Sequence, residues 1–269
     1  MTTREQWLTL RIWAEQFEDA QKARIAAVNR AERGGVDPVI YEAFIESVTT
    51  AEKVCKKHLL ACYRQTVPTA IKEWQAQTLG IGDHMLARLL GHLGHPVHAT
   101  PHHWEGTGSK RQLVADEPYD RTLHQLWQYC GHGAPAKRRR GMTAEEAAGL
   151  GNPRLKMIVH LNAVSGMKQM RSPYRVVYEN VREVVADRVH SVECVRCGPS
   201  GKPAQVGSLW SPGHQHAHAL RLVGKEILRD LWIVAGGGQN NDGIHGVFAS
   251  SGDDSVTIYH TNPMHHADA

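Results

Sequence analysis

The chain has 269 residues, five cysteines and a formal net charge of +4 with its 18 histidines neutral. It holds no run of about 18 apolar residues, which excludes a spanning helix of the usual kind. Its opening Met-Thr-Thr-Arg-Glu carries no apolar leader, so export is not expected, and so few cysteines in so long a chain do not make a disulfide framework. A reducing cytoplasm is the expected setting, with no membrane partner. The length allows one large domain or two small ones.

Residues 1–66 read as two long helices joined at Gly34-Gly35. Thr3 and Gln6 have capping-box spacing. Leu10, Trp13, Phe17 and Ala20 recur at alternating spacings of three and four, Arg24 interrupts the stripe and Ala27 resumes it. Asp37 and Pro38 form a cap and first-turn pair. The second helix carries Tyr41, Phe44, Val48, Ala51, Cys55, His58 and Cys62 on one stripe. This predicts a coiled-coil-like helical hairpin whose seam packs on itself or on a second copy of the chain, which makes a homodimer a candidate.

A short helix over 69–77 then leads to Gly80-Ile81-Gly82, and another helix runs to about Leu93. A Gly-apolar-Gly turn opening an amphipathic helix is what a helix-hairpin-helix needs at its centre. The glycines let backbone approach a phosphate, and the amides and dipole of the new helix favour its charge. Such a site grips nucleic-acid backbone without reading bases. A tight turn between two core helices has the same pattern, and both readings stand at this point. Residues 94–120 read as loop, 121–130 as a short helix, 153–170 and 174–190 as helices, and 216–235 as the last helix, ended by Gly236-Gly237-Gly238. The remainder reads as a weakly ordered tail. The expected fold is therefore mainly α: a hairpin at 1–66, a helix-hairpin-helix-containing domain at 67–235 with a small Cys/His insert, and a tail at 236–269.

Charge is unevenly spread. Residues 130–171 carry Lys137, Arg138, Arg139, Arg140, Arg154, Lys156, Lys168 and Arg171 against Glu145 and Glu146, a balance of +6 that leaves the rest of the chain near −2. Four consecutive cations repel one another, and a local basic block in a nearly neutral protein points to a polyanionic partner.

The insert holds Cys194-Val195-Arg196-Cys197, followed after sixteen residues by His214 and then by His218. Cys-x2-Cys with two histidines is a tetrahedral zinc set, which makes Cys194, Cys197, His214 and His218 the candidate ligands and His216 an alternative. A structural Zn2+ would hold together a Gly- and Pro-rich segment with little apolar content.

Four stretches together resemble the C-terminal domain of DEDD-type insertion-sequence transposases, a helix-hairpin-helix domain carrying a catalytic serine. Leu79-Gly80-Ile81-Gly82 through Gly94 is similar to the family's Pro-Gly-Ile-Gly turn and following helix. Leu126 through Pro135 looks like its aromatic-Gly-Leu-x-Pro segment. Gly151-Asn152-Pro153-Arg154-Leu155-Lys156 is similar to its Gly-Asn-x-x-Leu-Arg helix start, and Ala217 to Trp232 to its closing helix. The resemblance covers about residues 38–235. It implies nucleic-acid binding. Two departures argue against chemistry: too few residues precede the second helix to hold the family's acidic nuclease domain, and the place of its serine falls on Arg140. Ser165-Gly166 repeats the Ser-Gly dipeptide, but within a helix. Arginine in place of the serine keeps a phosphate partner and discards a nucleophile.

The leading expectation is a protein that binds DNA, or structured RNA, through Gly80, Ile81, Gly82, Lys137, Arg138, Arg139, Arg140, Arg154 and Lys156, with no catalytic residue of its own. Two other classes stay open: a transposase or recombinase that uses another serine or a partner nuclease, and a zinc-stabilised scaffold that binds protein.

Overall fold

The computed structural model describes residues 3–34, 38–133, 142–143, 146–147, 149–195, 197–198 and 202–238. The basic block Lys137, Arg138, Arg139 and Arg140 and the segment 239–269 lie outside the described residues. The architecture is mainly α. Helices α1 (Thr3–Arg33) and α2 (Pro38–Thr66) form an antiparallel hairpin. Thr66 Oγ1 donates to the Gln6 carbonyl, the Trp13 and His58 rings stack at 4.4 Å, and Gln21 Nε2 donates to Glu52.

The seam of α2 is rotated about one position from the stripe read in the sequence. Leu59 and Tyr63 are buried, whereas Phe44 is 49% exposed. The rotated seam brings Glu52 onto the inner face, where it accepts from both Arg24 and Gln21. Arg24, the interruption in the α1 stripe, is thus a seam residue answered from across the hairpin. A buried-side charge is tolerated when it is paired and hydrogen-bonded.

Helix α3 (Thr69–Gln77) turns through Gly80 into α4 (Asp83–Leu93), the most buried helix of the fold, with Leu86, Ala87, Leu89 and Leu90 wholly enclosed. It packs on α1, α2 and α6 (Pro153–Lys168). Its approach to α1 is close: a Cβ on Gly91 would lie 2.5 Å from the Ala14 Cβ. After α5 (Leu123–Tyr129), opened by a Thr122–Gln125 capping box, α6 starts at Pro153 with Asn152 Oδ1 accepting from the Arg154 and Leu155 amides. Helices α7 (Pro173–Val184) and α8 (Pro212–Val234) complete the bundle, both packed on α6 and on each other. One continuous cluster of buried side chains runs from Leu10 in α1 to Trp232 in α8.

Three element expectations are corrected. Residues 94–120 contain two short antiparallel ladders: β1 (His98–Ala99) with β4 (Tyr119–Asp120), and β2 (His102–Glu105) with β3 (Gln112–Ala115). Pro and Gly at 94–101 and 106–108 mask the pattern because they mark the turns, and the strands are too short to show alternation. The helix expected over 174–190 stops at Val184, after which the chain turns into an extended ribbon. The last helix opens at Pro212, four residues early, where Ser211 caps the His214 amide.

Between α1, α4 and α6 lies a buried ionic node. Glu18 of α1 accepts from Arg88 Nη2 of α4 at 3.2 Å, lies 3.1 Å from His92 Nε2, and meets Arg154 Nε of α6 at 3.1 Å. Burial alone would raise the Glu18 carboxyl; His92, Arg88 and Arg154 outweigh it and hold the group below its ordinary value.

Candidate metal centre and candidate nucleic-acid interface

The insert folds as an irregular ribbon between α7 and α8. His190 N donates to the Ser208 carbonyl, Trp210 N to Arg188, and Cys194 exchanges both backbone hydrogen bonds with Ala204. The chain then turns tightly, with Cys197 N donating to the Cys194 carbonyl. Gly198 is required next: a Cβ there would fall 1.5 Å from the Lys202 carbonyl oxygen. The ribbon carries His190 and Cys194, the turn carries Cys197, and the first turn of α8 carries His214.

These four side chains converge, and their ligand atoms all lie within 4.8 Å of one another. His214 Nδ1 is 3.2 Å from Cys197 Sγ and 3.7 Å from Cys194 Sγ. His190 is buried, and its Nε2 has no hydrogen-bond partner among the described residues. Two thiols and two imidazoles gathered in this way make a cluster that can hold a metal ion. A tetrahedron with bonds of about 2.0–2.3 Å has edges of about 3.3–3.8 Å, close to the two sulfur–nitrogen spacings seen. Trp210 stacks on the His214 ring at 4.1 Å and fixes its orientation.

The fourth position is the correction here. His218 lies one turn further along α8, buried with its ring edge-on to Trp210 at 5.2 Å, and is not in the group. His190 takes that place. It was missed because residues 174–190 read as one helix, which would have put His190 on a helix end pointing elsewhere. The available signal was the spacing His190-x3-Cys194 in front of the cysteine pair. Cys130 is not part of this cluster: it is enclosed in the core, and burial pushes its thiol up to about 12.

The hairpin turn divides its two glycines between different tasks. Gly80 adopts φ +92°, and a Cβ there would lie 2.5 Å from Gly166 Cα, so its bare face seats the turn on α6 rather than facing outward. Ile81 is buried, and its carbonyl accepts from Gln75 Nε2. Gly82 is the exposed N-cap of α4, with open space where a side chain would be. Asp83 Oδ1 accepts from the His84 amide at 2.7 Å, so one amide of that helix start is already engaged by a carboxylate.

Of the helix-start cations, Arg154 turns inward to Glu18, whereas Lys156 is exposed and its stem packs over Gly131. Two cations that sequence reading did not single out join Lys156. On α8, Arg221 Nη2 donates to the Gly133 carbonyl at 2.8 Å and Lys225 Nζ lies 4.1 Å from the Trp127 ring centre. The three flank the buried His132 imidazole. Its burial, with the fields of Arg221, Lys156 and Lys225, pushes that ring down to about 3 and keeps it neutral. Arg221 and Lys225 are four residues apart, the spacing that puts two side chains on one helix face. Lys137 to Arg140 follow Gly133 by four to seven residues in sequence. Ser165 lies inside α6 with its carbonyl against Gly80.

Among the described residues no helix is long and apolar enough to cross a membrane. No known protein family, curated protein or solved structure significantly matches the chain.

Proposed function

We propose that this chain binds nucleic-acid backbone, DNA in the first place, along the surface where Lys156, Arg221 and Lys225 flank Gly131–Gly133, and that the Cys/His insert holds a structural zinc ion. The observation that carries the first part is the convergence of these three cations, from two helices, on the segment that leads into Lys137, Arg138, Arg139 and Arg140. Positive groups gathered on one face supply the sequence-independent part of nucleic-acid affinity. The four stretches that resemble transposase C-terminal domains support the same reading. Gly82 offers a second backbone contact on the exposed start of α4.

The zinc reading rests on donor chemistry. Two cysteines and two histidines favour zinc over the oxygen-loving divalent cations. With four protein ligands the ion has no open position, so its role is to hold the insert and the start of α8 together. His190, Cys194, Cys197 and His214 would hold it.

A salt titration of duplex-DNA binding tests the main claim. The slope of log affinity against log salt should be steep in the wild type, and replacing Arg138, Arg139 and Arg140 by Ala should flatten it by about two to three units. A slope that stays put in a folded variant removes the basic surface from the interface. Competition with structured RNA ranks the two nucleic acids. Metal analysis of the purified chain should find one equivalent of zinc.

A further inference from the structure

A cavity of about 560 Å³ opens at the C-terminal end of α4, and neither the metal ligands nor Lys156, Arg221 or Lys225 line it. The eleven residues of α4, about 16 Å of helix, separate it from Gly82. Its volume falls within the roughly 300–1,000 Å³ of small-molecule sites. Its wall is cationic and aromatic: Arg4, Trp7 and Arg11 from one face of α1, His95 with its ring edge-on to Trp7 at 5.8 Å, and Arg121 and Tyr129.

Two of its arginines have no carboxylate partner among the described residues, whereas His98 is paired with Asp120. Arg121 is only 8% exposed, and it has no carboxylate at ion-pair distance among the described residues. Its Nη1 donates to the carbonyls of Leu93 and His95 at 3.4 and 3.0 Å, and its guanidinium lies over the Tyr129 ring at 4.7 Å. The carbonyls at a helix end supply about half a negative charge. Arg4 makes no ion pair among the described residues either, while Arg11 is matched by Glu15 at 3.0 Å. Arg121 is the buried cation of the wall and is stabilised by an anion placed against it, while Arg4 stands exposed at the cavity rim. His95 adds a neutral donor: its Nδ1 accepts from the Val97 and His98 amides at 3.2 and 3.0 Å, so the proton sits on Nε2. Aromatic residues are only 6% of the chain, yet Trp7, Tyr119 and Tyr129 all line this one cavity, beside the imidazoles of His95 and His98. Such a wall favours a flat ring to stack on.

We infer that this cavity binds a nucleoside monophosphate, free or as the 5′-phosphorylated end of a strand, with the phosphate held by Arg4 and Arg121 and the base against Trp7. This is a site separate from the backbone-binding surface, and neither depends on the other. Calorimetric titration of the full chain with AMP, adenosine and inorganic phosphate tests it. AMP should bind at least tenfold more tightly than either fragment. Arg4→Ala should weaken AMP by about tenfold, the loss of one charge-assisted contact, with helicity unchanged because Arg4 is exposed. Arg121→Gln, checked for folding by circular dichroism, should do the same. An oligonucleotide with a 5′-phosphate that binds more tightly than both AMP and its 5′-hydroxyl counterpart identifies the strand end as the source; AMP binding that matches or exceeds it identifies the free nucleotide. The inference is overturned if AMP does not bind, if phosphate or adenosine binds as tightly, or if neither arginine variant moves the affinity. Gly82→Val and the triple arginine variant should leave AMP affinity unchanged, so loss of duplex binding and loss of AMP binding report separate failures.

Discussion

Helix α4 and the Cys/His insert are both small parts of the molecule, yet they are held by opposite means. In α4 the leucines at 86, 89, 90 and 93 all face protein, and the helix is fixed by apolar contact with α1, α2 and α6 together with the Glu18 node. In the insert the apolar residues face water: Val192 and Leu209 are 70% and 62% exposed, and Val195 and Val206 are similar. What converges there is four ligand side chains. Hydrophobic residues therefore mark the fold in one region and say nothing about it in the other. Burying a leucine gives about 1.5–3 kcal/mol, a contribution the insert forgoes.

Metal removal gives the sharpest contrast. Apparent binding energies of structural zinc run to about 10–16 kcal/mol at neutral pH, so a strong chelator should expose the amides of residues 188–211 to hydrogen exchange while those of α4 stay protected. Loss of protection in both regions would make the insert part of the core rather than an independent unit. His190→Ala and Cys197→Ser should each lose the metal, and His218→Ala should keep it, as read by metal analysis.

Breaking the node attacks the other side. Glu18→Ala leaves Arg88 and His92 buried without their carboxylate and should cost about 3–5 kcal/mol in denaturant unfolding. The pH dependence follows from the sign of the shift. The Glu18 carboxyl titrates below its ordinary value, so its contribution is complete above the unfolded-state value of 4.5 and is lost as the pH falls through the lower folded value. Metal affinity also falls in acid because the ligands must be deprotonated. Two steps are therefore expected on acidification, the insert before the core, and Glu18→Gln should remove only the second.

Leu90→Ala, at a site with no exposure, should cost about 2–5 kcal/mol. The loss should be the same with and without chelator if the two regions are independent. The smallest effect belongs to the surface. Arg221→Ala should lower the salt slope of DNA binding by about 0.9 for one lost phosphate contact, while Gly80→Ala should act on stability instead, because Gly80 is strained by any side chain and packed on Gly166.

Much of the secondary structure was legible. Caps and breakers act over three or four residues, so Asn152-Pro153 and the glycines after α8 announced their boundaries. The cysteine pair and His214 were legible for the same reason, since a turn and a helix start need only local sequence. The strands of 98–120 were not, because four-residue ladders draw their stability from the partner strand rather than from their own pattern.

The sequence by itself determined a mainly helical chain, an N-terminal pair of long helices, a Gly-Ile-Gly turn before α4 and a thiol-imidazole set in the insert. Only the tertiary structure decided the partners. It put Glu52 into the seam, turned Arg154 to Glu18 and not outward, set Gly80 on Gly166, chose His190 over His218, and brought Arg221 and Lys225 beside Lys156. Each of these pairs is separated by 24 to 136 residues or is chosen by such a long-range contact. Local periodicity carries the direction in which a side chain leaves its own helix. It carries nothing about what stands opposite, because that depends on how distant helices pack.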